Sequence, residues 1–267
     1  MKTRVTIWAL IFAVATVSVQ CSPEKSEVPE TPTSIEQFFK SGSYSDAIGT
    51  FNYQECEFQF SQGGKLPLVV VLHGQYANGS DNKKQLNQSA MIQIWNTFNT
   101  NNVNAVMLAP QCPAGYTWGE NPEQYNRLTM SERLKNLLDA YISKKHNIDT
   151  SRIYIIGYTD GHNDSGAGGA WRMLSEYPDM FASAVVLSAE PNESISPSKV
   201  ACTPVIFIKG ITIEDEAAVV VDSFGDLVRD EGGNFREIVI SEGSRDEFYR
   251  QALSAENLNW AMQYSRE

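Results

Sequence analysis

Histidine is scarce in this chain. There are three in 267 residues, His73, His146 and His162, and none beyond position 162. That excludes a histidine-rich metal centre and leaves few places for imidazole acid–base chemistry. Cysteine is nearly as rare: Cys21, Cys56, Cys112 and Cys202 show no C-x-x-C spacing, which argues against a zinc site or a disulfide framework. One bridge would be open to the chain in an oxidising compartment, with the pair left undetermined. Basic residues are also few, 21 Lys plus Arg against 32 Asp plus Glu for a formal charge of −11, and they form no patch. Nucleic acid is excluded as a partner, because a phosphate backbone would be repelled. No pattern calls for a cofactor or a metal. With 42% hydrophobic residues, the chain can bury one substantial core, and a single domain is the expectation at this length.

A long apolar run occurs only at the start. MKTRVTIWALIFAVATVSVQC carries Lys2 and Arg4, then Val5 to Val19, then Cys21, the layout of an export signal. It is short for a membrane-spanning helix and has no basic stop-transfer flank. Ser18-Val19-Gln20-Cys21 resembles a loose lipobox of bacterial lipoproteins, with Gln20 departing from the usual small residue. Residues 1–20 are therefore read as a signal peptide and 21–34 as lipidated Cys21 plus the Pro- and Glu-containing tether SPEKSEVPETPT. Residues 35–267 are read as the folded domain. Cleavage before Cys21 removes Lys2 and Arg4, leaving 19 basic against 32 acidic residues, a formal charge of −13 before terminal groups. The expected location is the bacterial cell envelope, with the membrane reached through the lipid anchor.

Within the domain, strand-like and helix-like segments alternate. FNYQECEFQF (51–60) reads as a half-buried strand, and LPLVVVL (66–72) as one buried on both faces. Further strands are predicted at 104–110, 152–157, 182–188, 204–210 and 235–241, with helices near 88–100, 131–147, 167–176, 215–230 and 247–263. This order predicts an α/β fold, a mostly parallel central sheet with helices on both faces. Function in such sheets collects at the carboxyl ends of the strands, here at His73-Gly74-Gln75, after Ala109, at Tyr158-Thr159, after Gly210 and after Ser241.

LPLVVVLHGQYANGSDNKKQL (66–86), MLAPQCPAGYTW (107–118), IDTSRIYIIGYTDG (148–161) and GAWRMLSEYPDMFASAVVLS (169–188) resemble the α/β-hydrolase superfamily. The similarity is to its secreted carboxylesterase, feruloyl-esterase and polyhydroxybutyrate-depolymerase-like members. The resemblance implies the α/β-hydrolase fold and a Ser–acid–His triad with two backbone oxyanion donors. GYTDG fits the G-x-S-x-G elbow with Thr159 in the serine slot. A β-branched residue is a poor occupant of that strained backbone, so Thr159 either distorts the turn or costs about 1–3 kcal/mol. Ile213 stands at the aspartate position of KGITI, and Arg245 at the histidine position of GSRDEF, where a guanidinium cannot accept a proton near neutrality. Glu214 and Asp215, close by, read as solvated carboxylates in the first turn of a helix.

The oxyanion donors by this resemblance are the amides of Gln75 and Asp160. His73 reads as a loop support rather than a chemical group. His162 lies in an apparent insertion, His162-Asn163-Asp164-Ser165-Gly166, and would be an unusual base. Ser165 reads as an N-cap, as does Asp164, ahead of its reading as a displaced nucleophile. Asp160, His162 and Asp164 alternate as metal ligands do, but lack the glycine-centred loop of a calcium site and read as a polar surface loop. Tyr116 and Trp118 would either wall a ligand cleft or pack against a neighbouring helix.

Three departures in groups that act as a unit predict a catalytically degenerate esterase-like lipoprotein. Its former cleft, near His73, Gln75, Tyr116, Trp118, Thr159, His162 and Arg245, would bind a small-molecule, glycan or ester ligand. Arg245 would hold an anionic group or pair with Asp246 or Glu214. The alternative is an active carboxylic ester hydrolase with a non-standard nucleophile.

Overall fold

A computed structural model describes residues 34–119, 128–160, 165–210, 215–241 and 243–267, with backbone alone for 215–222. Eight strands form one sheet: β1 (Lys40–Ser45), β2 (Thr50–Phe58), β3 (Leu66–Leu72), β4 (Ala105–Pro110), β5 (Ile148–Tyr158), β6 (Ser183–Leu187), β7 (Val205–Gly210) and β8 (Phe235–Ile240). Their order is β1-β2-β4-β3-β5-β6-β7-β8. The β1–β2 and β2–β4 pairs are antiparallel and the others parallel. Among the described residues the α-helices are α1 (Ser89–Thr100), α2 (Met130–Lys144), α3 (Gly166–Glu176), α4 (Pro197–Val200), α5 (Asp215–Asp230), α6 (Arg245–Ala252) and α7 (Ala255–Met262).

Alternation along the strands divides the core. Leu68, Val70 and Leu72 of β3 face α2, α3 and α5 with Leu134, Leu138, Trp171 and Phe224, while Val69 and Val71 face α1, α6 and α7 with Ile94, Trp95, Tyr249 and Leu258. β3 is buried along its whole length, as its unbroken apolar run demands. Pro67 interrupts it near its start, and the β3–β5 register shifts between Leu66 and Leu68, the irregularity expected of a residue that cannot donate to the ladder.

Three elements differ from expectation. β1, KSGSYS, was not predicted: this polar edge strand, mostly exposed, offers no periodic apolar signal. Helix α2 ends at Lys144, where Lys145 turns extended, and β5 begins at Ile148 through pairing with Leu66. The helix expected over 247–263 is two, α6 and α7, broken at Leu253, with Ser254 at the N-cap position of α7. No described helix is long and apolar enough to cross a membrane. Among the described residues, Cys56, Cys112 and Cys202 form no disulfide.

Candidate functional site

The sheet reverses its winding at β3. From β3 the chain goes outward to β4, and it then returns to the other side with β5. The carboxyl ends of β3 and β5 therefore lie side by side, with Leu72 opposite Gly157, the switch point at which such sheets bind ligands. His73-Gly74-Gln75 and Thr159-Asp160 leave from these two ends.

Helix α3 is wedged between them. The Gly166 amide donates to the His73 carbonyl at 2.9 Å. A Cβ on Gly166 would lie 2.0 Å from the Leu72 carbonyl oxygen, and one on Gly157 would lie 2.3 Å from the Gly166 oxygen. Only glycine lets strand and helix backbones meet so closely. Ser165 takes the N-cap position, yet its hydroxyl makes no capping hydrogen bond and is wholly buried.

Thr159 is buried. Positive φ occurs among the described non-glycine residues at Asn82, Asn102 and Ser188, and Thr159 is not one of them. The β-branched side chain therefore carries no left-handed backbone strain here. The Thr159 carbonyl accepts a hydrogen bond from the Tyr249 hydroxyl at 3.1 Å.

His73 is 1% exposed. Cys112 N–H donates to Nε2 at 2.9 Å, which fixes the ring proton on Nδ1, and Nδ1–H donates to the Gly74 carbonyl at 2.7 Å. Burial brings its pKa down to about 4 against smaller opposing effects of the Gly74 carbonyl, Asp160 and Asp81. This neutral ring spends both nitrogens on the backbone.

His73, read as a loop support beside the former cleft, and Tyr116 and Trp118, read as either cleft wall or core packing, are all buried. The Trp118 ring meets His73 edge-on at 5.2 Å and Phe51 at 6.1 Å, and Gly169 leaves room for its Cβ. Tyr116 lies 5.2 Å from the Arg133 guanidinium. Their apolar area is used to hold the rim from beneath.

Arg245 is the first residue of α6 and is exposed, behind Ser244, whose hydroxyl accepts the Glu247 amide. One turn on, Tyr249 is buried beside Tyr158. Burial raises its phenol pKa, Arg245 opposes the rise, and Asp160 and Asp246 add to it. Arg245, Tyr249, Thr159 and Asp160 thus belong to one neighbourhood. Among the described residues no acidic side chain forms an ion pair with Arg245. Tyr249 carries no signal in the amino-acid order, because its role depends on where α6 docks. Cys21, Asp164, His162, Ile213 and Glu214 lie outside the described residues. Among those described, no group of three or more His, Cys, Asp or Glu is placed to hold a metal ion.

The fold is that of the α/β-hydrolases. A thermostable esterase superposes with TM-score 0.71 at 21% identity over 86% of this chain, which spans 64% of that protein. A ferulic acid esterase gives 0.62 at 15% identity, covering 84% of this chain and 97% of that one. The feruloyl esterase module from Clostridium thermocellum, complexed with sinapinate, gives 0.61 at 12% identity, covering 88% and 92%. No family model and no curated protein matches the chain in sequence.

Proposed function

We propose that this chain is a catalytically silent, esterase-like binding protein, exported and anchored through lipidated Cys21, that takes a small-molecule ester or glycan ligand at the former active-site rim. The supply of histidine carries the reading. His73 is committed to the backbone on both sides, exposed His146 precedes β5, at the sheet's opposite end, and His162 lies outside the described residues. No histidine follows β8, where this fold needs its base. Arg245 there supplies a permanent cation instead, suited to an anionic group on the ligand. The N-terminal pattern of Lys2, Arg4, an apolar run and Cys21 supports export and anchoring.

A ligand selective for the native state raises its melting temperature, by about 5–10 °C at a hundredfold excess over Kd for a domain of this size. Ferulate and feruloylated oligosaccharides, tested by thermal shift, are expected to include such a ligand. Arg245→Ala is expected to abolish most of the shift for anionic members. An undiminished shift would remove Arg245 from the site, and no shift with any of them would favour a purely structural role.

A further inference from the structure

The carboxylate of Asp160 sits on the Gln75 amide, one of the two donors an ester's oxygen would need, and on the next amide along, that of Tyr76. Gln75 N–H donates to Oδ1 at 2.9 Å and Tyr76 N–H to Oδ2 at 2.7 Å. The carboxylate also lies across Gly74, where a Cβ would come within 2.5 Å of Asp160 Cγ. The Gly74 amide is bonded by Gln88 Oε1 at 3.0 Å. Three successive amides after β3 are thus satisfied by side chains, although Tyr76 itself is 71% exposed.

We propose that Asp160 is an autoinhibitory contact: its carboxylate occupies the Gln75 amide, one of the two expected oxyanion donors, and so closes that donor to an ester's carbonyl oxygen. A carbonyl oxygen carries partial charge, whereas ionised Asp160 makes two charge-assisted hydrogen bonds and, being tethered, competes at a high effective concentration. The occlusion is independent of the triad positions. A working nucleophile and base would meet the same plug, so restoring Ser at position 159 alone leaves the site shut.

The test removes the plug in the full mature chain. In Asp160→Ala, amide exchange at Gln75 and Tyr76 is expected to accelerate about tenfold or more. Sodium acetate, against sodium chloride at matched ionic strength, is expected to raise the variant's melting temperature saturably and leave the wild type unmoved. Asp160→Asn, which preserves shape and one acceptor, is expected to give intermediate exchange and serves if the alanine variant folds poorly. Unchanged exchange in both variants, equal responses to acetate and chloride, or an equal acetate response in the wild type would overturn the proposal. None of these readouts depends on ester turnover, so they stand apart from the proposed lack of catalysis.

Discussion

Replacing Gly166 by alanine is expected to cost more than about 4 kcal/mol, or to prevent folding. The new Cβ would sit 2.0 Å from the Leu72 oxygen, 2.4 Å from the Leu72 carbonyl carbon and 2.7 Å from the His73 oxygen. All three are backbone atoms of the central strand and its exit, so no rotamer relieves the clash and α3 must move. That displacement would break the Gly166–His73 hydrogen bond and loosen Trp171, whose rings stack with Phe235 and whose Nε1 donates to the Ala189 carbonyl at 2.9 Å. Domains of this kind have only about 5–15 kcal/mol of stability in total. Gly64→Ala provides the contrast. Nothing lies within 4 Å of its Cβ, and its φ of +88° limits the cost to about 1–2 kcal/mol of left-handed strain. Denaturant unfolding of the two variants checks the ranking, and comparable midpoints would refute the close packing of α3 on β3.

Arg133→Met is expected to lower stability by about 3–5 kcal/mol at neutral pH. Arg133 and Asp46 are 1% and 5% exposed in their side chains, and Nε lies 2.6 Å from Oδ2. The guanidinium also donates to Asp46 Oδ1 and the Gly49 carbonyl, each at 3.2 Å, and lies 5.3 Å from the Phe51 ring centroid. It fastens α2 to the turn between β1 and β2, and so holds the polar edge strand. Burial opposes ionisation of Asp46, but Arg133 and the amides of Ile48 and Gly49 outweigh it and hold the pKa below the usual 3.8. A carboxyl whose folded pKa lies below its unfolded one stabilises above the unfolded value and loses that contribution as pH falls through the folded one. Wild-type stability should therefore decline below about pH 4. The deficit of Arg133→Met should shrink over the same range, because protonation neutralises the stranded Asp46. Chemical unfolding from pH 3 to 7 measures both, and a deficit that does not vary with pH would deny the ion pair its role.

Much of the fold could be read from residue order because the inner strands bury both faces. LPLVVVL and PVIFIKG have no polar alternation to confuse with a surface, and the segments between them have helical period. β1 escaped notice because Lys40, Ser41, Ser43 and Ser45 are polar, and its place is fixed by pairing with β2 and by Arg133, far along the chain. The break at Leu253 escaped because periodicity continues through it. At the site, the residues of the elbow and of the GSRDEF segment were visible as departures from a required chemistry. The burial of Tyr116 and Trp118 was not visible, since an aromatic after a strand suits a wall or a core equally. Nor was the turn of the Asp160 carboxylate toward Gln75 and Tyr76. A backbone donor such as the Gln75 amide is a statement about spacing, whereas its occupant depends on a side-chain rotamer and on the missing Cβ of Gly74.

The proposed function holds that this chain turns over no ester. It is tested most directly by incubating the purified domain with short acyl and feruloyl esters and with a fluorophosphonate probe, beside Thr159→Ala. The expected result is no turnover above the variant's background and no labelling of either protein. Hydrolysis by the wild type that disappears in Thr159→Ala, accompanied by covalent labelling at residue 159, would contradict the account.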